Sequence, residues 1–398
     1  MKRTGDFHII FVYSRNMPYP PTVDNIKVYY VSNEFIRRGA KVTWLQAGDV
    51  SARWERDGIE FVKIGPSGHR LIDPFIQLIR MVAFCRSTDA NCVYSDEWLF
   101  FRRKQLNRLF LQIGLRIVGV KYVLDQRDPY IDFEVARGNL KEGSCKHRYL
   151  ELLNNLTFRL TDLAIFPSET YANEFRGRGL PVKSSLGAIR GIDDQQFNHQ
   201  VDGSKIRSNL GLQNKFVVGW FGMMLPYRQL EEVVIPLIER GRDFIPDVHF
   251  LIGGSGELRG AFDRLQNSRP DLGMTVLGSV PYARLPEHLA ACDVLLCPLN
   301  TEHRFASLTS PLKILESLAV GRPIIATETK VSKEDYKDLV GVVWTGPNYD
   351  SFREALIEVY RRYDFHRDLA FRQAREFSRY NLRFTISKIV NAIEEASD

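Results

Sequence analysis

Residues 307–328, SLTSPLKILESLAVGRPIIATE, hold a helix, its stop and a strand in one run. Ser310 is a good N-cap, and Pro311 suits the first helical position, where its missing N–H would have had no partner. Gly321 can take the left-handed conformation that closes a helix, and Pro323 prevents its continuation, so Ile324-Ile325-Ala326 reads as a buried strand. The expected helix is roughly ten residues, or about 15 Å long. Its first turn offers free N–H groups and the positive end of the helix dipole, with Lys313 one turn in, which together suit an anion such as a phosphate. Glu316 lies three residues on, on the same face, and a carboxylate beside a phosphate calls for something further to hold, for which a sugar diol fits. A surface Lys–Glu pair on an ordinary crossover helix fits this stretch equally well.

The same alternation extends outward through the chain. HIIFVYS, KVTWLQA, NCVYSD, KYVLDQ and DLAIFPS are short β-branched and aromatic runs separated by helical patterns such as 25–38 and 99–118. This rhythm signals a parallel sheet with crossover helices. It restarts after the polar stretch 191–211, which reads as a linker plus a short helix. The strands expected beyond it are FVVGWFG (216–222), VHFLIGG (248–254), MTVLGSV (274–280), DVLLCPL (293–299), PIIAT (323–327) and GVVWTG (341–346), followed by helices from about 350 to 395. The expected organisation is a first domain over 1–190, a linker over 191–211, a second domain over 212–375, and a last helix within 376–398 packing back on the first domain.

At 398 residues the chain exceeds the usual size of one core, and its 44% hydrophobic and 26% charged residues exclude disorder. The five cysteines form no close metal-type pair with nearby histidines and read as reduced thiols of a cytoplasmic protein. The start, MKRTGDFHIIFVYSR, reads as a first strand rather than a signal peptide, and no segment approaches the run of about 18 apolar residues needed to span a bilayer. A net charge of +6 is compatible with phosphates, anionic lipid or nucleic acid as partners. Arg102-Arg103-Lys104, Arg108 and Arg116 interleave with Leu106, Leu109, Phe110, Ile113 and Ile117 at helical spacing. That pattern fits an amphipathic helix on an anionic membrane, as do the neighbouring Trp98, Phe100 and Phe101. Flanking strands favour a crossover helix with a solvated basic edge.

In doubly wound sheets ligands sit at the carboxyl ends of the strands. That rule selects the loop Ser14–Asn25, the segment Asp125-Gln126-Arg127-Asp128, the loop Gly222–Arg228, the turn Gly253-Gly254-Ser255-Gly256-Glu257, and the helix start at Ser310. The glycine turn would let backbone approach a ligand closely, but no GxGxxG fingerprint follows the first strand, which disfavours a nicotinamide oxidoreductase. Arg228 could bind a diphosphate beside Lys313, or pair with Glu231 or Glu232 at helical spacing.

Taken in order, GMMLPYRQLEEVV, FLIGGSGE, LGSVPYARLPEHLAACDVLLCPL and TSPLKILESLAVGRPIIAT resemble the ordered motifs of the retaining, nucleotide-sugar-dependent glycosyltransferases of the B-type (GT-B) fold, especially the group 1 family. RGIDDQQF resembles that family's domain-junction segment, and LDQRDP the Arg-Asp segment some members place on the acceptor side. The resemblance implies an α/β fold of two Rossmann-like, doubly wound domains facing a cleft. It also implies transfer of a hexosyl group with retention of configuration, without a metal or other cofactor, from a nucleotide-diphosphate sugar to a glycan or lipid-linked acceptor. It assigns Arg228 to the diphosphate and Glu316 to the ribose, with Lys313 standing in the Ser-Pro-Leu-Lys variant of the motif, and these three would be the catalytic groups. Gly222, Gly254, Ser255, Gly256, Gly278, Ser279, Val280, Thr309, Ser310, Pro311 and Leu312 would complete the donor site, with the base edge read at Gly278-Ser279-Val280. Arg127 and Asp128 would lie on the acceptor side.

Three places depart from the family pattern. Its first signature Glu falls on Leu308, and the Arg after Gly222 is replaced by Met223; Pro20-Pro21-Thr22 stands where a Gly-Gly turn is usual. Nucleic acid is not among the implied partners, whereas peripheral contact with an anionic membrane is. Two other readings stay open. One is a nucleotide-sugar epimerase of the same fold using Asp96, Glu97 and Asp128; the other is an inactive donor-binding subunit. His303, near the helix start, reads as a surface residue.

Overall fold

The computed structural model describes residues 7–13, 26–48, 50–65, 73–96, 105–127, 129–377 and 380–397. The loop Ser14–Asn25, Glu97, the run Trp98–Lys104 and Asp128, all singled out above, lie outside the described residues. The chain divides into two compact units, 1–189 with 383–398, and 190–382.

The first unit contains β1 (His8–Tyr13), α1 (Ile26–Arg37), β2 (Lys41–Ala47), β3 (Ala52–Arg56), β4 (Ile59–Ile64), α2 (Asp73–Ser87), β5 (Cys92–Asp96), α3 (Gln105–Ile117), β6 (Lys121–Asp125), α4 (Tyr130–Ala136), α5 (Cys145–Arg159), β7 (Leu163–Phe166), α6 (Glu169–Gly177) and β8 (Ser185–Gly187). The second contains α7 (Ser204–Asn209), β9 (Phe216–Met223), α8 (Ile235–Phe244), β10 (Val248–Ser255), α9 (Arg259–Ser268), β11 (Met274–Gly278), α10 (Leu285–Ala290), β12 (Val294–Cys297), α11 (Arg304–Ser307), α12 (Leu312–Ala319), β13 (Ile324–Thr327), α13 (Lys330–Asp335), β14 (Val342–Thr345), α14 (Tyr349–Arg361) and α15 (Tyr363–Arg375). The closing helix, α16 (Leu382–Ser397), belongs almost wholly to the first unit. There Arg38 bonds Glu394 at 2.8 Å and Thr385 Oγ1 donates to the Ile189 carbonyl at 2.8 Å.

Among the described residues the first sheet has eight strands in the order β3-β4-β2-β1-β5-β6-β7-β8, parallel except for the β3–β4 pair. That hairpin was not expected from the sequence. It turns on Asp57-Gly58, whose positive φ values of 52° and 75° suit a two-residue hairpin turn, and Asp-Gly is the usual signal for one. The second sheet is wholly parallel, in the order β11-β10-β9-β12-β13-β14, and its strands are the six expected. The near-continuous apolar runs of β9, β10, β12 and β13 reflect burial on both faces, with Trp220, Phe250 and Phe262 in the core.

The polar stretch 191–211 packs on the second unit. Phe197 is buried, Arg207 bonds the Ala291 carbonyl and Asp293, and a side chain at Gly203 would meet the Ala291 backbone at 2.2 Å. Its polar composition reflects anchoring by a few side chains rather than by an apolar face.

Candidate functional site

The carboxyl ends of β9, β10, β11, β12 and β13 bring together most of the donor-site residues expected from the sequence. β9 and β10 stay in register to their tips, Gly222 opposite Gly254 and Met223 opposite Ser255. Gly254 and Gly256 have φ of 148° and 144°, and a Cβ on either would lie 1.9 Å from the Gly222 carbonyl oxygen or 2.6 Å from that of Met224. The sequence suggested that these glycines let backbone approach a ligand. The geometry adds a steric demand of another kind, because the two strand tips press on one another.

Beyond β9 the chain bends sharply. Pro226–Arg228 form a short 3₁₀ turn, Gln229 takes the left-handed conformation at φ 49°, and Leu230–Val234 form a π turn that runs into α8. Non-glycine residues at positive φ and π turns are both uncommon and cluster at functional sites. Gln229 is held by a bond from its side-chain amide to the Pro347 carbonyl at 2.8 Å. This bend fixes Arg228, whose guanidinium carbon lies 4.8 Å from the Tyr227 ring centre and whose Nε, although buried, has no hydrogen-bond partner. The alternative pairing of Arg228 with Glu231 or Glu232 is not present among the described residues.

α12 supplies the facing groups, and here the structure corrects the sequence reading. The helix starts at Leu312, with Pro311 at the N-cap position, and spans eight residues rather than about ten. Ser310 does not cap it, because the Ser310 hydroxyl bonds the Asp335 carboxylate instead. The Thr309 amide is already bonded to the Ala306 carbonyl, and Pro311 has none. The amides of Ser310, Leu312 and Lys313 are the ones left without a hydrogen-bond partner among the described residues, and so can meet an anion.

Lys313 donates from Nζ to the Phe221 carbonyl at 2.9 Å, with the ammonium 4.5 Å from the centre of the Trp220 ring. Burial, reinforced by the Arg228 charge, lowers its pKa to about 8. Glu316 is 8% exposed and accepts no hydrogen bond among the described residues. Burial raises its pKa to about 7, against the opposing pull of Lys313 and Arg190. The site thus brings together two cationic side chains, open amides and a carboxyl group whose ionisation is pushed up toward neutral pH.

At β11, Gly278 has φ 76°, and a methyl group of Val280 lies 3.3 Å from where a Cβ on Gly253 would be. Arg259, at the start of α9, bridges the two turns. Its Nη1 bonds the Gly254 carbonyl at 3.4 Å and lies 3.0 Å from the Cβ position of Gly278, while Nε is steered by Asp263 at 2.8 Å. Sequence reasoning passed over Arg259, Arg190 and Trp220. Only the alternation along β9, which aligns Trp220 with Gly222, could have flagged the last.

Leu308 is buried at the end of α11, so the carboxylate that the family pattern puts there would be desolvated in this chain. Met223 is 60% exposed at the tip of β9. Arg127 belongs to the first unit, where its Nε lies 3.5 Å from Asp125.

Residues 215–362 match the family described as Glycosyl transferases group 1. A GDP-mannose-dependent monoacylated alpha-(1-6)-phosphatidylinositol monomannoside mannosyltransferase of Corynebacterium glutamicum is 28% identical over 174 residues, which is 42% of this chain and 45% of that relative. The match therefore spans less than half of the relative's length. Among solved structures, HepE of Anabaena in complex with UDP superposes with a TM-score of 0.72 at 17% identity, covering 98% of this chain and 100% of that one. The sucrose-phosphate synthase of Thermosynechococcus elongatus gives 0.72 at 13% identity, covering 98% of each. The fold is the GT-B fold of these proteins.

Proposed function

We propose, from the premise that residues 215–362 are a group 1 glycosyl transferase domain, that this chain transfers a hexosyl group from a nucleoside diphosphate sugar to a glycan or lipid-linked acceptor with retention of configuration. The observation that carries the reading is the convergence of Arg228, Lys313, the open amides of Ser310, Leu312 and Lys313, and the unpartnered Glu316 at the carboxyl ends of one parallel sheet. Cleavage of a sugar–phosphate bond builds charge on the departing diphosphate, and groups that bind that charge better in the transition state than in the ground state speed the step. Arg228 would bind the diphosphate through its forked donors and Lys313 as a point charge, with the amides completing the shell. With two protein cations on the leaving group, no metal is required.

Glu316 would accept from the ribose hydroxyls and become fully ionised as it gains donors. In the retaining route the acceptor hydroxyl attacks from the face the diphosphate leaves, and the diphosphate takes its proton, so no separate protein base is needed. The corynebacterial relative is named for GDP-mannose and HepE is bound to UDP, which supports a nucleoside diphosphate sugar as the donor class here. Arg127 and Asp128 are assigned to the acceptor. The same reading has the enzyme working without a cofactor in the cytoplasm, including the cytoplasmic face of an anionic membrane, and with no nucleic-acid partner.

The test is a panel of nucleotide sugars read first by thermal shift and then by release of nucleoside diphosphate, with and without chelator. Stabilisation by a donor together with slow donor hydrolysis supports the transferase. Stabilisation without any hydrolysis or transfer favours the inactive subunit that Leu308 and Met223 suggest, and no stabilisation by any donor overturns the site.

A further inference from the structure

Six large apolar side chains stand in solvent on two neighbouring helices of the first unit: Phe75 and Ile79 on α2, and Leu106, Phe110, Ile113 and Ile117 on α3. The α3 residues recur at helical spacing and form one stripe, on the side away from the buried Leu111, Gln112 and Leu115. Ile117 is 78% exposed and Ile79 68%. The two helices make one surface, since the Phe75 and Phe110 rings meet edge to face at 5.8 Å and a Cβ on Gly114 would come within 2.7 Å of Val82. α3 is a crossover helix, as the sequence favoured, between β5 and β6. A crossover helix needs one apolar face, against its sheet, and α3 has a second. Single exposed apolar residues are ordinary, whereas a contiguous group marks an interaction site.

The exposed charge on the two helices is mainly positive. Arg80, Arg86 and Arg116 are exposed beside it, α3 carries no acidic residue, and α2 carries only Asp73 in its first turn. We propose that the α2–α3 face docks this chain on an anionic lipid bilayer, the helices lying in the interface with their apolar stripe among the acyl chains and the arginines at the phosphates. A second copy of the chain fits less well, because a two-fold interface through this face would set its basic rim against itself. No described helix is long and apolar enough to cross a membrane, so the contact is one of surface adsorption. The proposal rests on the membrane part of the functional reading and on none of the transfer chemistry.

The test sediments the full chain with vesicles of phosphatidylcholine and phosphatidylglycerol at low and high salt, and with phosphatidylcholine alone. Binding is expected to the anionic vesicles at low salt and to fall at high salt. Phe110→Ser with Ile117→Ser should reduce partitioning about tenfold through lost apolar insertion, and Arg86→Gln or Arg116→Gln about fivefold each through lost attraction to the headgroups. Phe365→Ser, at an exposed apolar residue of the second unit, should leave binding unchanged. All these residues are exposed, and an unaltered thermal unfolding curve shows that each variant folds. No binding to anionic vesicles, equal binding by the patch variants, or a dimer that the double variant converts to monomer would overturn the proposal. Nucleotide-sugar stabilisation, read in the same samples, reports separately on the donor site.

Discussion

Asp125 in the first unit and Glu316 in the second are both buried carboxyl groups at or near the carboxyl end of a parallel sheet, each within reach of a lysine and an arginine, yet their ionisation is shifted in opposite directions. Burial alone would push Asp125 up, but Lys27 at 2.7 Å, the nearby Arg127 and a bond from the Tyr94 hydroxyl at 2.7 Å hold it below the usual carboxylate range. Glu316 feels Lys313 and Arg190 only through space, since neither donates a hydrogen bond to it among the described residues, and burial wins. The difference teaches that proximity of opposite charges does not make a structural ion pair. A carboxylate whose donors are all supplied by its own chain is part of the scaffold, and one left short of donors is prepared for donors from outside.

The largest expected difference between them is in stability. Asp125→Asn strands the buried Lys27 and should lower the unfolding free energy by about 3–5 kcal/mol, whereas Glu316→Gln should leave it unchanged or raise it; urea denaturation of both variants makes the comparison. The pH dependence should differ in sign as well. The depressed Asp125 contributes stability present above its unfolded value and lost as pH falls through its lower folded value. For the raised Glu316, stability is fully present below 4.5 and is lost as pH rises through about 7. That loss amounts to about 3 kcal/mol. It should vanish in Glu316→Gln, so parallel pH titrations of thermal stability for that variant and the native chain would contradict the assignment.

Binding should show the next largest effect. Arg228→Ala and Glu316→Ala should each weaken nucleotide-sugar affinity by roughly 1.5–3 kcal/mol, as for hydrogen bonds to charged groups. Calorimetry that finds both affinities unchanged would remove the site from this end of the sheet. The smallest effect is expected at Arg259. Its removal breaks a partly exposed pair within α9 and one long bond to the Gly254 carbonyl, and should leave stability nearly unchanged. If its guanidinium also meets the donor, affinity should fall by about 0.5–1.5 kcal/mol, and a wholly unaltered affinity would restrict it to bracing the two turns.

The second unit was the more legible of the two in sequence. Its four inner strands are buried on both faces and all six read as plain apolar runs, so all six appear, and Gly321-Arg322-Pro323 marks the end of α12 well. The first unit hid a hairpin because β3, ARWER, is exposed along its whole length and carries no apolar period, although Asp57-Gly58 announced the turn. At the site, the residue types that bear charge were legible and their partners were not. Nothing local says that Ser310 prefers Asp335 to the helix end, that Thr309 has already spent its amide, or that Arg259 reaches from α9 to the glycine turn, because each depends on a contact made by folding. The glycines at 254 and 256 were noticed for one physical reason, while the structure adds a neighbouring backbone that excludes any side chain.

The π turn at the head of α8 also bears on how this chain can change in length. A π turn is an α-helix that has absorbed one extra residue, and each residue of an α-helix advances about 100° around the axis. Deleting Glu231 or Glu232, the exposed residues of the turn, would let α8 close up into regular helix without disturbing its core contacts further along, and would swing what lies before it, Arg228 included, through roughly that angle. The guanidinium would then leave the side of the sheet on which Lys313 and the open amides lie. The reach of this arginine then depends on one residue of chain length, and deletion of either glutamate is expected to abolish donor binding while the domain still folds.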